Sequence, residues 1–186
     1  MAHETVSEVA DSVAAGNGDA DAEVRRIREA FDVNRSKMTV QLARELGVTE
    51  LAVVRALPDG LARELDVARW EELLRALEPL GQVHVVATNG ACTLEAFGQF
   101  GNFSTWGDYF NVQSKTIDMH IRFKELAGIF AVEKPSHMDG VNTLSIQFFD
   151  RRGAAAFKVF LTFGGKAPAP ERLAQFAGIR ETFALR

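Results

Sequence analysis

The sequence predicts an α+β fold: an N-terminal helical section, then a large antiparallel sheet, then a C-terminal helix. Two observations carry the prediction. Apolar residues recur at helical spacing as far as Leu80, and from Val83 to Phe163 they recur at every second position. The strands also follow the helices instead of alternating with them, which argues against a parallel doubly wound sheet. The division expected is a disordered tail over 1–20 and one domain over 21–186, made of a helical section (21–80), an antiparallel sheet (81–163) and a closing helix (168–180).

The tail is small, acidic and rich in Gly and Ala, so it buries too little apolar area to offset its ordering entropy. Beyond Ala22, Val24, Ile27 and Phe31 mark one helical stripe, and Met38, Leu42 and Leu46 a second, which Gly47 ends. Thr49 caps a third helix through Val53, Val54 and Leu57, and Pro58-Asp59-Gly60 stops it. Asp66 caps a further helix through Trp70, Leu73, Leu74 and Leu77, closed by Pro79 and Gly81.

Val83, Val85 and Ala87 then alternate with His84, Val86 and Thr88 up to Asn89-Gly90, the strongest short hairpin signal, and Cys92, Leu94 and Ala96 return. Cys92 reads as a small buried hydrophobe in that strand. Phe100, Phe103 and Trp106 sit in a Gly-rich loop, where they tuck into a satellite core or line a slot for a flat ligand. Tyr109 to Val112 is a short strand. Residues Ile117 to Phe123 alternate strictly, with Ile117, Met119, Ile121 and Phe123 on one face and Asp118, His120 and Arg122 on the other. Ala127 to Lys134 is another strand, and Ser136 to Gly140 a turn that exposes His137. Thr143 to Phe149 and Ala155 to Phe163 form a hairpin about Asp150-Arg151-Arg152-Gly153, with Lys158 facing solvent or an anionic group across the sheet. Pro170 to Ile179 closes the chain as an amphipathic helix.

The polar face of residues 117–123 is the main candidate for chemistry. Neutral imidazole binds metals and guanidinium pairs with carboxylates, so His120 and Arg122 suit a ligand that carries a metal and acidic groups. A solvated strand face is the plainer reading of the same pattern. The run from Leu42 to Leu57 is also spaced like a helix-turn-helix, but its second helix offers Glu50, Leu51, Ala52, Val53 and Val54, with Arg55 as its lone base. DNA reading is therefore disfavoured. A net charge of −4 points the same way for nonspecific nucleic-acid binding. One cysteine excludes an intrachain disulfide framework and fits a reducing cytoplasm. No phosphate-cradling glycine loop, zinc-type cluster, signal-like leader or membrane-length apolar run is present in the sequence.

Taken in order, several segments resemble the ChuX/HutX family of intracellular haem-utilisation carriers and each lobe of HemS-type haem proteins. They are Val53 to Pro58, Leu80 to Val83, Gly107 to Val112, Ile117 to Arg122, Val132 to Pro135, and Phe148 through Gly153 to Phe160. The resemblance spans about residues 35 to 178. It implies a saddle-like antiparallel sheet, a homodimer, and cytoplasmic haem binding for delivery or storage in iron acquisition, with a haem-uptake or haem-degrading protein as a candidate partner. It also implies that His120 is the iron ligand. Two further histidines of such proteins fall at Thr88 and Ala96, so the sixth position is left open or goes to Arg122, Tyr109 or water. On that reading Arg122 or Lys134 pairs with the propionates, and Phe100, Phe103, Trp106 and Phe110 cover the ring faces. A carrier is the first expectation, a haem-degrading enzyme of the HemS-like type the second, and a helix-turn-helix regulator the third.

Overall fold

The structure, a computed structural model, describes residues 6–138 and 140–186, with side chains from Asp19 onward. Three helices lead: α1 (Val6–Val33), α2 (Thr39–Leu46) and α3 (Glu50–Ala56). A short strand β1 (Ala62–Leu65) precedes α4 (Trp70–Ala76). Then come β2 (Gln82–Thr88), β3 (Thr93–Gln99), β4 (Phe103–Trp106), β5 (Tyr109–Gln113), β6 (Asp118–Arg122), β7 (Leu126–Lys134), β8 (Thr143–Asp150), β9 (Ala155–Thr162) and the closing α5 (Pro170–Thr182). Of the disordered tail expected over 1–20, residues 1–5 lie outside the described residues, and from Val6 the backbone belongs to α1.

The local signals act as their chemistry requires. Gly47 takes the left-handed conformation that ends α2, and the Thr49 hydroxyl accepts from the Ala52 amide to cap α3. Asp66 accepts from the Ala68 amide at the start of the turn that leads into α4. The chain turns from β2 into β3 at Asn89-Gly90 as expected, but the turn spans Asn89 to Cys92, with Thr88 opposite Thr93 and the two strands antiparallel.

The expected α+β class and large antiparallel sheet are present, with the strands divided between that sheet and a smaller one. Six strands pair in the order β1-β7-β8-β9-β2-β3, and three pair as β4-β5-β6. Period-two alternation encodes a strand and its faces but not its neighbour, so the split is invisible to it. The strictly alternating strand within 117–123 is β6, an edge of the smaller sheet. β1 also falls within the section expected to be helical; at four residues with Arg63 and Glu64 in its middle, it leaves no periodic trace.

The two faces of the larger sheet bury different cores. Ile129 and Ala131 of β7 and Ile146 and Phe148 of β8 face one core, completed by α4, α5 and the smaller sheet. Phe130 and Val132 face the other, with Ile27, Phe31, Leu42, Val53 and Val54 from the N-terminal helices. Covering β7 on both sides explains its near-continuous apolar run. Burying a leucine such as Leu73, Leu74 or Leu77 completely contributes about 1.5–3 kcal/mol each.

The N-terminal helices are pinned by a buried polar group. Lys158 donates to Glu50 Oε1 at 2.5 Å, and Thr39 Oγ1 donates to the same oxygen at 2.5 Å. Lys158 is therefore not solvent-facing, because α3 brings a carboxylate over its strand. With Glu50, Val53, Val54 and Ala56 buried, the accessible face of α3 offers Leu51, Ala52 and Arg55, a single base for a DNA groove. Cys92 is exposed in the hairpin turn instead of buried in a strand. The sheets meet at Gly98, where an added Cβ would collide with Thr116 Oγ1, which itself donates to the Phe97 carbonyl.

Candidate functional site

A cleft of about 580 Å³ opens where the β6 edge of the smaller sheet faces the larger one. His120 and Arg122 line it from β6, with Met119 and Ile121 beside them. Leu126 and Phe157 supply apolar wall, and Arg151 and Arg152 reach in from the β8–β9 turn. Phe157 is held by stacking on Phe148, with ring centroids 4.3 Å apart. The volume lies within the range of about 300–1,000 Å³ usual for small-molecule clefts.

The imidazole of His120 is more than half exposed, and its two nitrogens meet different neighbours. Nδ1 lies 2.7 Å from Asn111 Oδ1, while Nε2 lies 3.8 Å from the Asp118 carboxylate. Tyr109 meets the ring edge-on at 6.5 Å between centroids. Arg151 is anchored by donating to the Lys124 carbonyl, and Arg152 by a two-pronged contact with Asp150. Partial burial pushes the Asp150 carboxyl up, but hydrogen bonds from the Ala154 amide and from Arg152 outweigh it and hold the group below its ordinary range. Arg122 has no ion-pair partner among the described residues, so its guanidinium is available. Two positions further along, Lys124 pairs with Asp108 and holds that carboxyl low as well.

The structure brings together two of the eight residues singled out from the sequence, His120 and Arg122, with Tyr109 beside the imidazole. Phe100 and Phe110 are fully buried in the main core, and Phe103 packs against it. They fasten the smaller sheet and do not face the cleft. Trp106 is exposed at the end of β4. Lys134 lines a different cavity of about 360 Å³, which α2 helps to enclose with Met38, Thr39 and Val40. Its ammonium donates to the Ser36 and Pro135 carbonyls at 3.3 and 2.7 Å. Burial, and secondly the charge of Lys158, lower its pKa from 10.5 to about 8.

Sequence reasoning does not single out Arg151, Arg152 or Asn111. The turn at residues 150–153 announces a hairpin but not the strand it overhangs. Asn111 has a usable signal: once β5 and β6 pair, it stands directly opposite His120. Among the described residues no group of three or more His, Cys, Asp or Glu could hold a metal ion. A bare ion would thus find one good donor here, whereas a metal that arrives with its own ring of donors needs only that one. Apolar wall, one imidazole and guanidinium groups suit such a ligand if it also carries acidic arms. No helix among the described residues is long and apolar enough to cross a membrane.

Comparison with known proteins bears on the family and the fold. The family model described as "Haem utilisation ChuX/HutX" matches residues 63–179. The intracellular heme transport protein HutX of Vibrio cholerae is 22% identical over 160 residues, covering 84% of this chain and 82% of that protein. The structure of the heme-binding protein ChuX superposes with a TM-score of 0.72 at 22% identity, over 84% of this chain and 97% of that one. The heme-degrading enzyme ChuS of Escherichia coli O157:H7 superposes with a TM-score of 0.73 at 21% identity, covering 89% of this chain but 47% of its own length.

Proposed function

The chain belongs to the ChuX/HutX haem-utilisation family, and from that premise we propose that it is a cytoplasmic haem carrier whose iron-binding side chain is His120. The observation that supports this most is the cleft itself, in which an imidazole and three arginines surround an apolar wall beside a strand edge. Each feature answers one part of the cargo. The imidazole offers a nitrogen to the iron. Arg122, free of any described ion pair, offers charge-assisted hydrogen bonds to a propionate, while Arg151 and Arg152 are already paired with the Glu125 and Asp150 carboxylates that line the same cleft. Met119, Leu126 and Phe157 give the macrocycle an apolar surface. Tyr109 stands near enough to influence the imidazole but stays edge-on to it.

Release matters to a carrier as much as capture does. A single imidazole on an exposed strand, instead of two on opposite sides, leaves one iron face for the recipient's ligand. Thr88 and Ala96, where related proteins place other histidines, supply no nitrogen donor.

The test is a hemin titration of the wild type and His120→Ala, followed by Soret absorbance. The wild type is expected to give a stoichiometric band that the variant shifts in position, with about a tenfold loss of affinity, equivalent to about 1.4 kcal/mol. An identical band and affinity in the variant would remove His120 from the iron. Incubating the loaded protein with a biological reductant plus catalase is expected to return intact haem; continued bilin formation would instead identify a haem-degrading enzyme.

A further inference from the structure

The donors and acceptors on one face of the smaller sheet form a row whose proton positions fix one another. Ser104 on β4, Asn111 on β5 and His120 on β6 lie across three paired strands, with Ser104 opposite Asn111 and Asn111 opposite His120. The Ser104 hydroxyl donates to Gln113 Oε1 at 3.3 Å, so its lone pairs are left to accept. Asn111 Nδ2 donates to them at 3.0 Å, which turns its carbonyl oxygen toward His120 at 2.7 Å. A carbonyl oxygen can only accept, so the proton between them belongs to His120 Nδ1. Neutral imidazole has one N–H, and placing it on Nδ1 leaves the lone pair on Nε2.

Asp118 pulls the other way, since a carboxylate near Nε2 favours a proton there. At 3.8 Å it lies beyond hydrogen-bond reach, and both partners are more than half exposed to screening water. Asn111 is buried and already held from its other end. The shorter, sheltered contact wins.

We propose that Asn111, oriented by Ser104, is a positioning residue that holds His120 in the Nδ1–H tautomer and thereby presents Nε2 as the donor atom to an incoming metal. The inference deepens the reading of His120 as the iron ligand and rests on it for its purpose. The tautomer itself is a property of the protein without cargo. A plain packing role for Asn111 would leave the tautomer free; the row of oriented groups does not. Metal-bound histidines generally use such an outer partner to set ring orientation and basicity, and losing it commonly costs about 10–100-fold in metal affinity.

The experiment uses cargo-free protein labelled with nitrogen-15 in histidine, at a pH where the imidazoles are neutral, with His120→Ala identifying the His120 signals. The wild type is expected to show a protonated Nδ1 and an unprotonated Nε2. Asn111→Leu should move the proton toward Nε2, the form that a free histidine side chain favours. Asn111→Asp keeps an acceptor in place and should restore the wild-type tautomer. Ser104→Ala, which leaves the core untouched, should give a mixture and serves as the deciding variant if Asn111→Leu does not fold. Hemin affinity should fall in Asn111→Leu by no more than the about tenfold loss expected for His120→Ala, and recover in Asn111→Asp. A wild-type Nε2–H tautomer, or a tautomer indifferent to both Asn111→Leu and Ser104→Ala, would overturn the inference even if His120 binds iron. The Nδ1–H tautomer together with hemin binding unaffected by His120→Ala would instead overturn the carrier site and leave the positioning intact.

Discussion

His120 and Lys134 are both nitrogen bases on strands, yet they occupy opposite kinds of surroundings. His120 stands on an edge strand and lines the cleft, more than half exposed, with Nδ1 held by Asn111 and Nε2 beyond hydrogen-bond reach of Asp118. Lys134 is buried, spends its donors on two backbone carbonyls, and has Lys158 nearby to oppose its charge. Around Lys134 the neighbouring polar groups are mostly tied to one another, as Lys158, Glu50 and Thr39 are. Around His120 they are fixed at one end and open at the other. A group whose bonding is completed by the protein serves the fold; one left half-complete at a cleft is placed for a ligand.

Four measurements can break or sharpen that contrast. The largest effect is expected for Glu50→Ala, which strands the Lys158 ammonium without a counter-ion. Unfolding by denaturant should show a loss of about 3–5 kcal/mol, while hemin binding measured in the cold stays close to wild type. Equal damage to hemin binding would mean that the two regions are coupled.

Next is pH. Lys134 has a folded pKa of about 8 against 10.5 when unfolded, so between those values the unfolded chain holds a proton that the native one has released. Stability from this residue therefore rises as pH climbs from 8 to 10.5 and is flat below 8. The stability of wild type minus that of Lys134→Met should grow by about 2–3 kcal/mol over that interval. A difference that stays level across it would show that the amine titrates normally.

His120→Ala should reverse the pattern, with stability changed by less than about 0.5 kcal/mol while hemin affinity falls about tenfold. The smallest effect belongs to Arg122→Ala, an exposed charge whose loss should weaken hemin binding by about 0.2–1 kcal/mol at low salt and less at high salt. If Lys134→Met weakened hemin binding more than Arg122→Ala did, the cargo would have to be moved to the cavity beneath α2.

The faces of this fold are legible in the sequence, and its neighbours are hidden. Gly47, Thr49, Asp66 and Asn89-Gly90 announce their turns and caps because each acts within a few residues of itself. His120 and Arg122 are legible together because they sit two apart on one strand. Arg151 and Arg152 are not, since they lie about thirty positions away and reach the cleft through pairing of β7, β8 and β9. The charge of Lys134 suggests a place at the site, but alternation on β7 points it at the N-terminal helices. Phe100 and Phe110 show the same limit for aromatics: composition marks them as large and apolar, and only packing decides which way they turn.

Because His120 and Arg122 ride on one sheet and Arg151 and Arg152 lie on the other, the spacing between these side chains depends on the seam joining the two sheets. Gly98, pressed against Thr116, is part of that seam although it lies outside the cleft. A larger residue there would have to push Thr116 and Ile117 aside and so shift one sheet against the other, altering the width of the cleft without changing any residue that lines it. The dimensions of the cleft can therefore drift through a contact outside it, with its lining residues unchanged.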